Sequence, residues 1–219
     1  MTKKLLITLF ILALFASCGT RRCATTFDEG VVINGVRWAT RNVDAPGTFA
    51  ETPESFGMLF QWNRRKGWSA TDENVKNWDN SIPTGTEWER RNDPCPRGWR
   101  VPTIREFISL KYVSWYYDTE HEWIAKNGIY GRLIGTAPYQ IFLPAVGMRN
   151  FADGVLIRRC TYSIEYILFG HYWSSEADGA EIAWRAGLSN AFNDFSGLWA
   201  IGLNINYRSF GFSVRCVAK

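Results

Sequence analysis

Short runs of apolar and polar residues alternating with a period of two recur along this chain, while the helical period is clear in one stretch. That pattern predicts strands joined by turns. "VVINGVRWAT", residues 31–40, sets two apolar runs around Asn34-Gly35, a strong hairpin signal. "FGMLFQWNR", Phe56 to Arg64, predicts a further strand. Residues 65–92 are polar and carry no period; they predict a long ordered loop pinned by Trp68, Trp78 and Trp88. Beyond Pro94 and Pro96, Thr103 and Glu106 have capping-box spacing, and Ile104, Phe107, Ile108 and Leu110 follow at helical intervals. The helix expected there covers about residues 103–113. "TEHEWIAK" predicts a second, shorter helix. "YQIFLPAVGMRNFADGVLIRR" reads as two strands around Ala152-Asp153-Gly154, and "GHYWSS", "EIAWRAGL", "LWAIGLNI" and "GFSVRCV" as further short strands. Near the end, Phe210, Phe212, Val214 and Cys216 alternate with Gly211, Ser213 and Arg215, as in a half-buried strand, whereas "NINYRSF" just before has no clean apolar face. There is no internal repeat, and the pattern is α+β with mostly antiparallel strands.

Composition strengthens the sheet-rich reading. Eleven Trp, nine Tyr and fourteen Phe in 219 residues imply large buried rings and an aromatic surface. The N-terminus predicts export. Lys3 and Lys4 precede the apolar run Leu5 to Ala16 and then "SCGT", the order of a secretory signal. Twelve helical residues span about 18 Å, too short for a bilayer core of about 30 Å. "LFASC" resembles a bacterial lipobox, which implies cleavage before Cys18 and acylation of that cysteine. The expected organisation is a signal peptide over 1–17, a polar tether over 18–30 and a single domain over 31–219. The expected location is the outer membrane through the N-terminal lipid, at the cell surface. No acidic residue directly follows Cys18, so the periplasmic face stays open. Removing residues 1–17 lowers Lys+Arg from 25 to 23 against 21 acids, and a near-neutral chain gives no basic field for nucleic acid. Arg90, Arg91, Arg97 and Arg100 read as a solvated basic face.

Of five cysteines, Cys18 is assigned to lipid. Cys95 and Cys216 lie in rigid or apolar contexts, and outside the cytoplasm a bridge between them is a reasonable expectation. It would close a loop of over a hundred residues, worth about 4–5 kcal/mol in the chain-entropy model. The pairing of Cys23 and Cys160 stays open. Catalytic signatures are missing. "HEWIA" begins like a zincin helix, but Ala125 stands where the second His is required. Asp118, Glu120 and Glu122 read as a solvated helix end. There is no GxSxG, P-loop, GxGxxG or CxxC. No cofactor, metal or enzymatic activity is therefore expected.

Three stretches together resemble a family. "NGVRWATRNVD", "DPCPRGWRVPTIREFISL" and "FLPAVGMRN…DG…GHYWSS…GFSVRCV" are similar to the Fibrobacter succinogenes major paralogous domain, over roughly residues 31–217. The resemblance implies a C-type lectin-like fold of the kind shared with formylglycine-generating enzymes: an irregular antiparallel sheet with flanking helices and long loops. It also supports pairing Cys95 with Cys216, and membership among secreted proteins or lipoproteins of Bacteroidetes. The calcium-site tripeptides of sugar-binding C-type lectins, "EPN", "QPD" and "WND", are absent, as is a copper-binding Cys pair.

A subset of this family serves as variable proteins of diversity-generating retroelements, in which Asn codons of a template are randomised. From Ala177 to Phe210 only Glu181, Trp184 and Trp199 cannot be reached from an Asn codon by changing its first two bases; average composition would give about seven. The expected ligand-binding face comprises Asn204, Asn206, Tyr207, Ser209 and Phe210, joined by Asn190, Asn193, Asp194, Phe195, Ser196 and Trp199. Aromatic rings supply contact area and Asn and Ser supply adaptable hydrogen bonds. The expected partner is a protein or glycan. The alternatives are a constant structural or adhesive envelope component, fimbria-associated, and, further behind, an enzyme of the formylglycine-generating type.

Overall fold

The computed structural model describes residues 25–113, 123–162, 165–189 and 201–219. These form strands β1 (Val31–Ile33), β2 (Val36–Trp38), β3 (Met58–Phe60), β4 (Gly67–Ser69) and β5 (Trp99–Arg100), then helix α1 (Ile104–Val113). Strands β6 (Ile124–Lys126), β7 (Ile129–Thr136), β8 (Tyr139–Pro144), β9 (Met148–Arg149) and β10 (Leu156–Ile157) follow. The last are β11 (Arg159–Tyr162), β12 (Glu165–Asp178), β13 (Ile182–Ser189), β14 (Gly202–Tyr207) and β15 (Val217–Ala218). The pairs within every sheet are antiparallel. The largest sheets run β11-β12-β13-β14 and β1-β2-β15-β5. The second brings the two ends of the domain together.

Local chemistry explains the elements that frame the fold. Asn34 and Gly35 both take positive φ, 49° and 80°, the geometry of the two-residue turn whose twist matches a hairpin. At the start of α1, Thr103 Oγ1 accepts from Glu106 N at 3.3 Å and Glu106 Oε2 accepts from Thr103 N at 2.7 Å. That reciprocal pair satisfies two otherwise unpaired helix donors. Arg100 clamps the same carboxylate through two hydrogen bonds, 2.8 and 2.6 Å. Burial pushes the Glu106 carboxyl up, but the Arg100 and Thr103 hydrogen bonds outweigh it and hold the group below its ordinary value.

Two buried clusters share the core. One gathers Phe49, Phe60, Trp62, Trp88, Trp99, Trp173, Phe212 and Val214 around Cys95 and Cys216, which are joined by a disulfide with Cα atoms 6.1 Å apart. The other packs Phe107 and Leu110 of α1 with Trp38, Ile134, Leu143, Tyr172, Leu188 and Val217. Trp68 and Trp88 are buried, and the Trp78 indole donates to Phe151 O at 3.0 Å. The segment after Arg65 is thus held by its tryptophans, with β4 as an added strand.

Three expectations change. Residues 25–30 belong to the folded domain and not to a tether: Thr25 bridges Phe49, and the buried Asp28 carboxylate accepts from Gly30 N, Thr40 N, Thr40 Oγ1 and Arg41 Nε. The described part of "TEHEWIAK" is strand β6, because Ile124–Lys126 pairs with Gly131–Ile129 of β7. The alternating tail is buried on both faces: Ser213 and Arg215 are as inaccessible as Phe212 and Val214. Core elements pack on both sides of it, so its polar residues find partners inside.

Candidate functional site

Strand β14 pairs with β13 in the register Arg185↔Asn204, Ala183↔Asn206 and Ile182↔Tyr207, and β13 pairs with β12 through Gly187↔His171 and Arg185↔Trp173. Strand alternation therefore puts His171, Arg185, Asn204 and Asn206 on one face of this sheet. Gly187 leaves the room that the Arg185 guanidinium fills; a Cβ there would collide with Nη1 and stand 3.0 Å from His171 Nδ1. Arg185 Nε donates to Asn206 Oδ1 at 2.8 Å, and Ile205 N donates to Asn204 Oδ1 at 2.8 Å. Both amides are thus oriented by their oxygens.

A ladder of rings begins at the end of β14. Tyr207 contacts Phe151 at 5.5 Å between centroids, Phe151 contacts Phe210 at 5.0 Å, and Phe210 stacks on Phe212 at 5.6 Å. Phe212 continues inward to Trp173 at 4.3 Å and to His171 at 4.9 Å. The outer end is open, with Tyr207 47 % and Phe151 40 % exposed, whereas Phe212 and Trp173 are fully buried. Phe151 sits in the turn between β9 and β10. Its position is fixed from behind by Trp78, whose ring lies on Gly154 so closely that a Cβ would come within 2.5 Å. Trp78 in turn packs on Trp68 at 4.8 Å, with Lys66 Nζ 3.7 Å over the Trp68 ring. The result is an aromatic ledge whose outer end is exposed.

The sequence-predicted site divides. Asn204 and Tyr207 are exposed, and Asn206 and Phe210 are partly buried; Tyr207 and Phe210 belong to the ring ladder, whereas Asn204 and Asn206 lie on the sheet face of Arg185. Ser209 is corrected: it is 3 % exposed, and its carbonyl accepts from Gln61 Nε2 at 3.0 Å. The cause is its neighbour. Arg208 turns inward, where its guanidinium donates to Pro83 O (2.8 Å), Ile182 O (3.2 Å) and Gly179 O and lies 4.3 Å over Trp62. The turn closed by Phe210 N and Tyr207 O carries Ser209 in with it. Asn190, Asn193, Asp194, Phe195, Ser196, Trp199 and Cys18 lie outside the described residues.

Phe151, Arg185 and His171 were not anticipated, and Trp78 was expected only to pin its loop. Of the first three, Phe151 alone carried a signal, as a large ring set in an Asn-x-Ala-Asp-Gly turn where small polar residues are the rule. Burial, reinforced by the nearby Arg185 charge, lowers the His171 pKa well below its ordinary value. The ring is therefore neutral at pH 7. Among the described residues its Nδ1 has no hydrogen-bond partner.

A second concavity, about 550 Å³, is lined by Glu87, Glu89, Arg90, Asp93, Arg100 and Lys219. Burial pushes the Asp93 carboxyl up although Cys95 N donates to it. Charges of both signs lie side by side there, and none of the residues expected to bind ligand is present. Among the described residues, no three His, Cys, Asp or Glu side chains are grouped to hold a metal ion, and no helix is long and apolar enough to cross a membrane. No family model, no curated protein and no solved structure matches this chain.

Proposed function

We propose that this chain is an exported, lipid-anchored binding protein that takes a protein or glycan ligand on its C-terminal face, with the C-type lectin-like fold of the Fibrobacter succinogenes major paralogous domain. The observation that carries the reading is the ledge: two exposed rings, Phe151 and Tyr207, packed on a ladder whose inner end is buried. Rigid aromatic area with adaptable hydrogen bonds is the chemistry of recognition surfaces. Rings and amides make contact and do not react, so the reading is one of binding and not of catalysis. With the lipid on Cys18, the chain up to Thr25 would hold the domain within about 25 Å of the outer membrane, at the cell surface.

Diversification of residues 177–210 is part of this proposal, with a limit. Ala183, Ala186, Leu188, Ile201, Arg208 and Ser209 are buried, so free variation does not fit them, whereas Gly179, Ala180, Asn204 and Tyr207 are exposed. The constant adhesive reading draws on the same buried positions. A reverse-transcriptase gene beside a near-copy of the region encoding 177–216 decides between the two.

Two measurements test the proposal. Metabolic acyl labelling with membrane fractionation should lose both signals in Cys18→Ala; unchanged signals contradict the anchor. Screening the wild-type chain, Asn206→Ala and Tyr207→Ala on protein and glycan arrays should show capture by the wild type that both variants lose. Equal capture by all three contradicts the face.

A further inference from the structure

We infer that Asn127, in the turn between β6 and β7, is a site of spontaneous covalent modification, at which the side-chain amide is lost as ammonia and aspartate and isoaspartate are formed. The inference is independent of the binding reading. Four Asx-Gly pairs are candidates: Asn34-Gly35, Asn127-Gly128, Asp153-Gly154 and Asp178-Gly179. Glycine in second place leaves its amide nitrogen unshielded by a Cβ. The two Asp pairs have no amide to expel, and a carboxylate is a poor target for a nucleophile. Gly154 N is also engaged: it donates to Asn150 O at 3.0 Å, under the Trp78 ring.

The two Asn-Gly pairs are alike in local geometry. Both join strands as two-residue turns, with φ of 49° and 80° at Asn34-Gly35 and of 51° and 78° at Asn127-Gly128. All four residues are exposed, and a Cβ on either glycine would meet nothing within 4 Å. Their surroundings separate them. Asn34 Nδ2 donates to Ser109 O of α1 at 2.8 Å, which fixes that side chain. Among the described residues the Asn127 amide has no partner. The strands differ too. β2 is paired on both sides, by β1 and β15, and carries the buried Trp38. β6 is a three-residue edge strand with no buried residue. Short, exposed edges open locally at the least cost in free energy, and opening lets the Asn127–Gly128 peptide rotate until Gly128 N reaches Cγ.

The step balances. Gly128 N bonds to Asn127 Cγ, the Cγ–Nδ2 bond breaks, and Nδ2 leaves as ammonia with the proton given up by Gly128 N. Water then opens the succinimide. Cleavage of its Cγ–N bond gives aspartate, and cleavage of its backbone C–N bond gives isoaspartate. Nothing is oxidised or reduced, and water is the co-reactant. Aspartate retains the turn and adds a charge beside Lys126. Isoaspartate adds a methylene to the main chain, which the register Lys126↔Ile129 across a two-residue turn does not accommodate.

The test ages the full chain in mildly alkaline buffer at physiological temperature and follows both Asn-Gly peptides by mass and by enzymatic methylation of isoaspartate. Asn127 should convert at least tenfold faster than Asn34 in the folded chain. In urea, where the Ser109 contact and the strands are gone, the two rates should come within threefold of each other. Asn127→Gly keeps a turn of the same type, so the melting temperature should hold while the isoaspartate signal is lost. Equal rates in the folded chain, or faster conversion of Asn34, overturn the inference. So does an Asn127 that stays intact while the unfolded chain converts, or a tenfold bias that persists in urea, which assigns the selectivity to flanking residues and not to the fold. An isoaspartate signal that Asn127→Gly leaves in place overturns it as well.

Discussion

Arg149, Arg208 and Arg215 are all buried, and none is within salt-bridge distance of a carboxylate among the described residues. Each instead donates to neutral oxygens, mostly backbone carbonyls, of segments distant in sequence or in neighbouring turns and strands. Arg215 reaches Asn42 Oδ1 (3.0 Å), Ala39 O (3.2 Å) and Phe142 O (2.9 Å). Arg149 reaches Ser69 O through Nε (2.8 Å) and Asp72 O (2.8 Å). A planar fork of five donors suits this work, and burial lowers the pKa of all three. Arg215→Met keeps most of the volume but leaves three acceptors unpaired, so urea unfolding should show a loss of about 2–4 kcal/mol. A loss below about 0.5 kcal/mol, the range of ordinary surface changes, contradicts the role. Sequence alternation placed Arg215 on an outer face because a period of two cannot tell solvent from a second core layer. The residues that satisfy it lie more than seventy positions away. His171 gives a pH signature. Its folded pKa lies below the unfolded value of about 6.5, so the unfolded state binds the extra proton first. Its contribution is whole above pH 6.5 and is lost as pH falls below it. The melting temperature should drop between pH 7 and pH 5, and His171→Gln should flatten that slope. An identical slope in the variant rules His171 out as the source.

Elements written in local chemistry were legible: the Asn34-Gly35 hairpin, the Thr103–Glu106 cap with its helix, and the turn between β9 and β10. Each rests on contacts a few residues apart. Strands β6, β7 and β11 were not legible, since β6 and β11 are short and β7 mixes Gly131, Arg132 and Gly135 among its apolar residues; tertiary pairing decides them. The capping box should be worth about 1 kcal/mol. Thr103→Ala should lower stability by that amount in chemical denaturation, and no change would mean that Arg100 alone holds Glu106. The Cys95–Cys216 bridge, 121 residues apart in sequence, ties β15 to the segment before β5. Its removal by Cys95→Ser with Cys216→Ser should cost about 4–5 kcal/mol in the chain-entropy model. Equal urea midpoints for the two forms would contradict that account.

At the scale of the molecule, the domain closes on itself. The first and last strands share a sheet, the bridge ties the last strand to the segment before β5, and the aromatic cluster around the bridge is continuous with the ladder under the ledge. The mostly antiparallel character was readable from alternation, and part of the ledge from the unpatterned "NINYRSF". The other part was not, because Phe151 comes from a different segment that meets Tyr207 only after folding. The account's central claim is that the outer end of the ladder recognises a ligand while the inner end holds the fold. The direct test pairs a thermal melt with ligand capture on Phe151→Ala, Asn206→Ala and Tyr207→Ala against Phe212→Ala and Val214→Ala. The first three should leave the melting temperature within a few degrees and lose capture. The last two should lose stability, about 3–5 kcal/mol for the Phe212 ring. If the Phe151, Asn206 and Tyr207 variants unfold like the core variants, the ledge is structural and the claim is wrong.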